Sequence, residues 1–149
     1  MKPIFIRQAV LADLDVLVSL FDAYRQFYGR PSDVIAAREF LLDRFQHGES
    51  VLFLAFQADT PVGFTQLYPS FSSVSLARTF ILNDLYVTPE GRRQGIATQL
   101  LAAAVDYAHS VNAIRLSLST EITNETAQAL YLSAGWKQEE QFLVYHLTL

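Results

Sequence analysis

The segment Ile81–Leu101, ILNDLYVTPEGRRQGIATQLL, decides how the rest of the chain is read. With Thr79 and Phe80 before it, ILNDLYV makes the most apolar strand-like run in the sequence, which predicts a strand in the middle of a sheet. From Ile96 onward the apolar residues Ile96, Ala97, Leu100, Leu101, Ala104, Val105 and Ala108 recur at helical spacing, predicting a helix to about residue 110. The turn between carries Arg92, Arg93 and then Gly95. A helix start attracts anions, because its free N–H groups carry about half a positive charge. Two arginines there are either a solvated turn or the flank of a bound polyanion, which would satisfy both the amides and the guanidinium groups. Neither GxxxxGK[ST] nor GxGxxG occurs in the turn.

Outward from this segment, the pattern is strand, two helices, three strands, helix, strand, helix and one or two strands. IFIRQA reads as a first strand. Asp13 would cap a helix bearing Leu14, Leu17, Val18, Phe21 and Tyr24, ended by Gly29 and Pro31. Ser32 would start a second helix with Ile35, Phe40, Leu41 and Phe45 on its apolar side, closed near Gly48. SVLFLAFQ and VGFTQLYPSF form a hairpin around ADTP, and SSVSLAR is an exposed connection. AIRLSLST is a further strand. Asn124 or Thr123 caps a helix with Ala127, Leu130 and Tyr131, stopped by Gly135. FLVYHLTL reads as a terminal strand, with another around residues 137–140. This order is α/β of the α+β type with a mixed sheet.

Composition narrows the function. The chain has 149 residues, 51% of them hydrophobic and 17% charged, which suits one globular domain over residues 1–149. It has no cysteine, so disulfides, thiolate metal sites and a cysteine nucleophile are excluded. His47, His109 and His146 are far apart and show no metal spacing, and no metal is expected. A net charge of −4 without a basic block argues against nucleic acid. No apolar run is long enough to span a bilayer, and Arg7 interrupts the N-terminal apolar stretch, so neither membrane nor signal peptide is expected; the expected location is cytoplasmic.

Two motifs carry a resemblance. Arg92-Arg93-Gln94-Gly95-Ile96-Ala97 is similar to the pyrophosphate-loop pattern (Gln or Arg)-x-x-Gly-x-(Gly or Ala) of the GCN5-related N-acetyltransferases, with Ala97 where glycine is commoner. TNETAQALYLSAGW resembles the second signature of that family, and IFIRQAVLADLDVLVSLF its first strand and helix. LNDLYV and LYLSAGW look nearest to the polyamine and histone-type branch. The resemblance implies one domain with a mostly antiparallel sheet of six to seven strands, about four helices and splayed central strands. It implies acetyl-CoA as acetyl donor, with its pyrophosphate on the turn Arg92, Arg93, Gln94, Gly95, Ile96, Ala97 and Thr98. The pantetheine arm would lie along Leu85, Tyr86 and Val87, with Leu85 N–H at the thioester carbonyl and with Asn124 and Ala127 beside the arm.

By the same resemblance, Tyr131 would protonate the leaving thiolate; read alone, it is a core aromatic on a short helix. Asp84 is the only acid on the central strand. It is either the base or cation binder for the amine, or a side chain that points away and holds a neighbouring backbone. The family's acceptor region falls on YRQFYGRP and YPSFSS, where Tyr24, Phe27, Tyr28, Tyr68 and Phe71 could line an aromatic wall or simply be core. The acceptor implied is a small amine, a polyamine or a peptide lysine. A catalytically silent CoA-binding domain and a protein-binding module are the alternatives. Terminal-strand homodimers are common in the family, and FLVYHLTL would allow one.

Overall fold

The structure, a computed structural model, describes residues 2–149. It divides into two compact units, one ending at Ser119 and the other spanning Thr120–Leu149.

The first unit is built on five strands, β1 (Ile4–Gln8), β2 (Val51–Gln57), β3 (Thr60–Ser72), β4 (Ala77–Val87) and β5 (Arg115–Ser117), lying in that order. Pairing is antiparallel except between β4 and β5, which run parallel. Among the described residues the expected six to seven strands become five, and the middle strand is β3 rather than the more apolar β4. FLVYHLTL and residues 137–140 form no strand. Phe142, Leu143, Val144, Tyr145, Leu147 and Leu149 are all exposed, and an apolar run without a neighbouring strand has no ladder to join.

Three helices cover this sheet. α1 (Leu14–Phe27) and α2 (Val34–Gln46) share one core with it, in which Leu17, Leu41, Leu52, Leu54 and Phe64 are essentially inaccessible. Each such side chain contributes about 1.5–3 kcal/mol by leaving water. α3 (Ile96–Ser110) buries Ile96, Leu100, Leu101, Ala104 and Ala108, and its Tyr107 packs edge-on against Phe53 and Phe80. Strand alternation puts Phe53 on the α3 face and its neighbours Leu52 and Leu54 in the α1–α2 core.

Several local expectations are corrected. Asp13 does not cap α1. Its carboxylate accepts from both Arg7 guanidinium nitrogens, at 2.7 and 2.8 Å, and from Val10 N–H, closing a short 3-10 turn at Leu11–Asp13. Asp33, not Ser32, caps α2 by accepting from Ala36 N–H. Ser32 instead donates to Asp22 at 2.7 Å. Asp22 is buried and also accepts from Asp33 N–H and Gln26, so it ties α1 to the start of α2. Those donors, Ser32 first, hold its carboxyl below the ordinary range. Ile35, expected on the apolar side of α2, is exposed.

The second unit contains α4 (Glu125–Ser133). Asn124 caps it, accepting from Ala127 N–H at 3.1 Å. Its end is a Schellman turn: Trp136 N–H reaches Tyr131 O at 3.0 Å and Gly135 N–H reaches Leu132 O at 3.1 Å. The Trp136 and Tyr131 rings meet across that turn, with centroids 6.1 Å apart. No helix among the described residues is long and apolar enough to cross a membrane.

Candidate active site

The site grows from an irregularity in β4. Gln66 pairs with Asp84 and Leu67 with Leu82, so Asn83 is one residue too many. Such a bulge shifts every later side chain to the other face. Phe80 packs on Tyr107 of α3, whereas Tyr86 packs on Tyr24 of α1, although both are even-numbered. Asp84, just past the bulge, is thereby delivered to the α1 face. The sequence carries only a faint signal for this, a polar Asn-Asp pair inside an apolar strand.

Asp84 is 4% exposed. It accepts from Gln66 Nε2 at 2.7 Å and Asn83 Nδ2 at 3.1 Å, and the Tyr24 hydroxyl donates to it as well. Burial raises its carboxyl above the ordinary carboxylate value, against the pull of those three donors. Burial, and then the Asp84 charge, also raise the Tyr24 phenol. Tyr68 is pushed up to about 12 for the same two reasons. Gln66 Nε2 also donates to the Tyr68 hydroxyl at 3.2 Å. Gln66 was not anticipated, yet it stands two residues after Phe64 and so on the inward face, where an amide is conspicuous. The proposed aromatic wall splits in two. Tyr24, Phe27 and Tyr28 cluster with Tyr86, while Tyr68 and Phe71 lie further along β3 beside Phe40 of α2.

A second feature lies on the other edge of β4. β5 pairs only with Thr79, Phe80 and Ile81, so among the described residues β4 has no neighbour on that edge from Leu82 to Val87. Thr88 N–H bonds Val62 O at 2.8 Å across β3. Alternation then turns Tyr86 N–H toward β3 and turns Leu85 and Val87 N–H to the unpaired edge. Tyr86, expected along the pantetheine arm, turns its main-chain N–H toward β3 and its ring into the aromatic cluster. The free edge leads into the turn before α3. Arg93 (φ 63°) and Gly95 (φ 77°) are left-handed and flank Gln94, an alternation of the kind that gathers backbone N–H groups into an anion-binding concavity. α3 has no side-chain cap and no acid in its first turn, so its leading amides stay uncompensated. A Cβ on Gly95 would meet no protein atom within 4 Å, so the space beside it is open.

The neighbouring turn residues hold the loop in shape. Arg92 Nε donates to Val87 O at 3.1 Å and its guanidinium lies 5.4 Å over the Phe27 ring. Gln94 accepts from Gln57 at 2.6 Å and donates to Glu90 O at 3.1 Å. Gly91 carries no signal in the sequence beyond a turn, yet a Cβ there would crowd Val62, Val87 and Ile96 at 3.1–3.2 Å. Arg93 is exposed and has no ion-pair partner among the described residues. No cluster of three metal-ligating side chains occurs among them either. An unpaired strand edge, an uncapped helix start and open space at Gly95 fit a ligand with an amide-bearing arm and a diphosphate.

Comparison with known proteins identifies the family. Residues 17–136 match the model of the acetyltransferase (GNAT) family, and the chain belongs to that family. Enzymes of this family take their acetyl group from acetyl-CoA. The chain is 44% identical, over 97% of each protein, to the uncharacterized N-acetyltransferase YhfO of Bacillus subtilis. It is 31% identical to a probable acetyltransferase of Haemophilus influenzae, over 92% of each. The crystal structure of a probable acetyltransferase superposes with a TM-score of 0.93 at 46% identity, covering 97% of both chains.

Proposed function

We propose that this chain, with residues 1–149 working as one catalytic domain, acetylates a primary amine of a small molecule or a lysine-type side chain by direct attack. The observation that carries the proposal is the combination of a β4 edge unpaired from Leu82 to Val87 among the described residues, the uncapped amides at the start of α3, and the buried Asp84 carboxylate on the same strand. Acetyl-CoA supplies the activated acetyl thioester. The main-chain N–H groups from Arg93 to Thr98 hold its diphosphate, helped by the Arg93 guanidinium. Leu85 and Val87 hold the arm through the free edge of β4, and Leu85 N–H serves the carbonyl where negative charge builds. Such a donor contributes roughly 3–4 kcal/mol to barrier lowering. Two relatives support an amine acceptor. A Caenorhabditis elegans relative, 27% identical over 77% of this chain, is named a thialysine N-epsilon-acetyltransferase. A Klebsiella aerogenes relative, 27% identical over 69% of it, is named an aminoglycoside N(6')-acetyltransferase.

Asp84 is the base. An alkylammonium has a pKa near 10.4 and must lose a proton to attack. A carboxylate made more basic by burial, and bridged to Tyr68 through Gln66, is suited to take it. Tyr131 Oη holds the proton for the departing thiolate. That role rests on its place in ALYLSAGW. Tyr131→Phe is expected to lower kcat about 10²-fold, the scale of one general acid, with acetyl-CoA affinity within about twofold. Free-thiol release together with calorimetry measures both. Unchanged turnover would remove Tyr131 from the acid role, and no thiol release by the parent chain would favour a catalytically silent CoA-binding domain. The run of exposed apolar residues from Phe142 to Leu149 supports a homodimer. Light scattering should then give twice the 16.8 kDa chain mass, and the monomer mass would refute it.

A further inference from the structure

The end of α2 and the outer halves of β3 and β4 border an open pocket of about 590 Å³ lined by Phe40, Arg44, Glu49, Tyr68, Phe71 and Arg78, among others. Two guanidinium groups line it, and aromatic rings hold both. Arg44 lies 4.5 Å over Phe40, and Arg78 lies 5.2 Å over Phe71 and 5.8 Å from Phe80. A guanidinium stacked face-on keeps its N–H edge available for a planar, bidentate acceptor. Arg44 has one carboxylate partner, Glu49 at 3.2 Å, whereas Arg78 has none among the described residues. The pocket thus carries surplus positive charge on a chain whose net charge is −4. One of its walls is Tyr68, the residue that Gln66 links to Asp84 through bonds of 3.2 and 2.7 Å. A polyamine would present the wrong sign to these arginines.

We infer that this pocket is an anion subsite for the acceptor, and that the acceptor is a small amine bearing a carboxylate. The carboxylate lies on Arg78 and Arg44, and the amine is directed toward Asp84. This deepens the transferase reading above and rests on it for the identity of the ligand. Its size falls within the roughly 300–1,000 Å³ of small-molecule sites, which suits a free amino acid or amino acid derivative.

The test pairs ω-amino acids of three to six carbons with alkylamines of equal length and with the amino-acid methyl esters. Acetylation is followed by thiol release, and binding by calorimetry with coenzyme A present. The best acid should exceed its amine and its ester about 10- to 100-fold in kcat/KM and in affinity, the scale of a charge-assisted pair. Arg78→Gln should bring that ratio close to one and Arg78→Lys should restore part of it. Arg38→Gln, which removes an arginine paired with Asp15 outside this pocket, should keep it. Acids bound no better than amines or esters, or a full ratio in Arg78→Gln, would overturn the subsite. If no acceptor is acetylated but acid-selective binding persists and depends on Arg78, the transferase reading fails and the subsite stands.

Discussion

Gly95→Glu should raise the Kd for acetyl-CoA about 10³-fold while the protein still folds. A carboxylate about 4 Å from a bound phosphate costs about 4 kcal/mol in surroundings of effective dielectric 20, and that equals about three decades of affinity. The variant also fills the open space beside the turn, where no protein atom comes within 4 Å of a Cβ. Folding loses less. Holding an L-residue at φ 77° costs roughly 1–2 kcal/mol, partly offset by a negative side chain at an uncapped helix start. For a chain of 149 residues that is a fall of a few degrees, at about 2–4 °C per kcal/mol. Melting curves with and without cofactor separate the two effects. The ligand-induced rise in Tm should vanish while the apo Tm falls slightly. Retention of most of the rise would mean that the diphosphate is held elsewhere.

Asp84→Asn should lower kcat/KM about 10²–10⁴-fold, the range of a positioned base, without weakening the fold at neutral pH. The sign follows from the raised carboxyl. A group whose folded pKa lies above its unfolded value binds its proton more tightly when folded. Its contribution to stability is therefore greatest below the ordinary carboxylate range and is lost as pH rises through the raised value. Asn removes that loss, so the Tm of the variant at pH 8 should equal or exceed that of the parent. The parent's kcat/KM should climb with pH through the raised carboxyl pKa, and the variant should lack that limb. A variant with full activity and the same pH profile would assign Asp84 a structural role alone.

Much of this frame was legible because local rules and tertiary packing agree. Asn124 as a cap, Gly135 as a stop, the β2–β3 hairpin and the buried face of α3 all follow from short-range chemistry that the structure keeps. Expectations failed where a distant partner outbid the local one. Arg7 draws Asp13 away from α1, and Ser32 is drawn to Asp22 instead of capping α2. FLVYHLTL has the apolar composition of a strand, but pairing is a property of two segments and no pattern in one of them guarantees it. The uncapped turn before α3 was readable from spacing, since Gly95 and the residues around it lie within one loop. The surroundings of Asp84 were not. Asn83 resets the alternation of β4, and that single extra residue decides which face receives Asp84. Arg44 and Arg78 are separated by more than thirty residues in sequence and face one pocket only because the β3–β4 hairpin carries Arg78 to the end of α2.

A crystal structure with bound coenzyme A is the most direct measurement. It should place the diphosphate oxygens within hydrogen-bond distance, about 2.7–3.2 Å, of main-chain N–H groups between Arg93 and Thr98, with the pantetheine amides paired to Leu85 and Val87. A diphosphate bound away from that turn, or an arm that leaves the free edge of β4 untouched, would contradict the account.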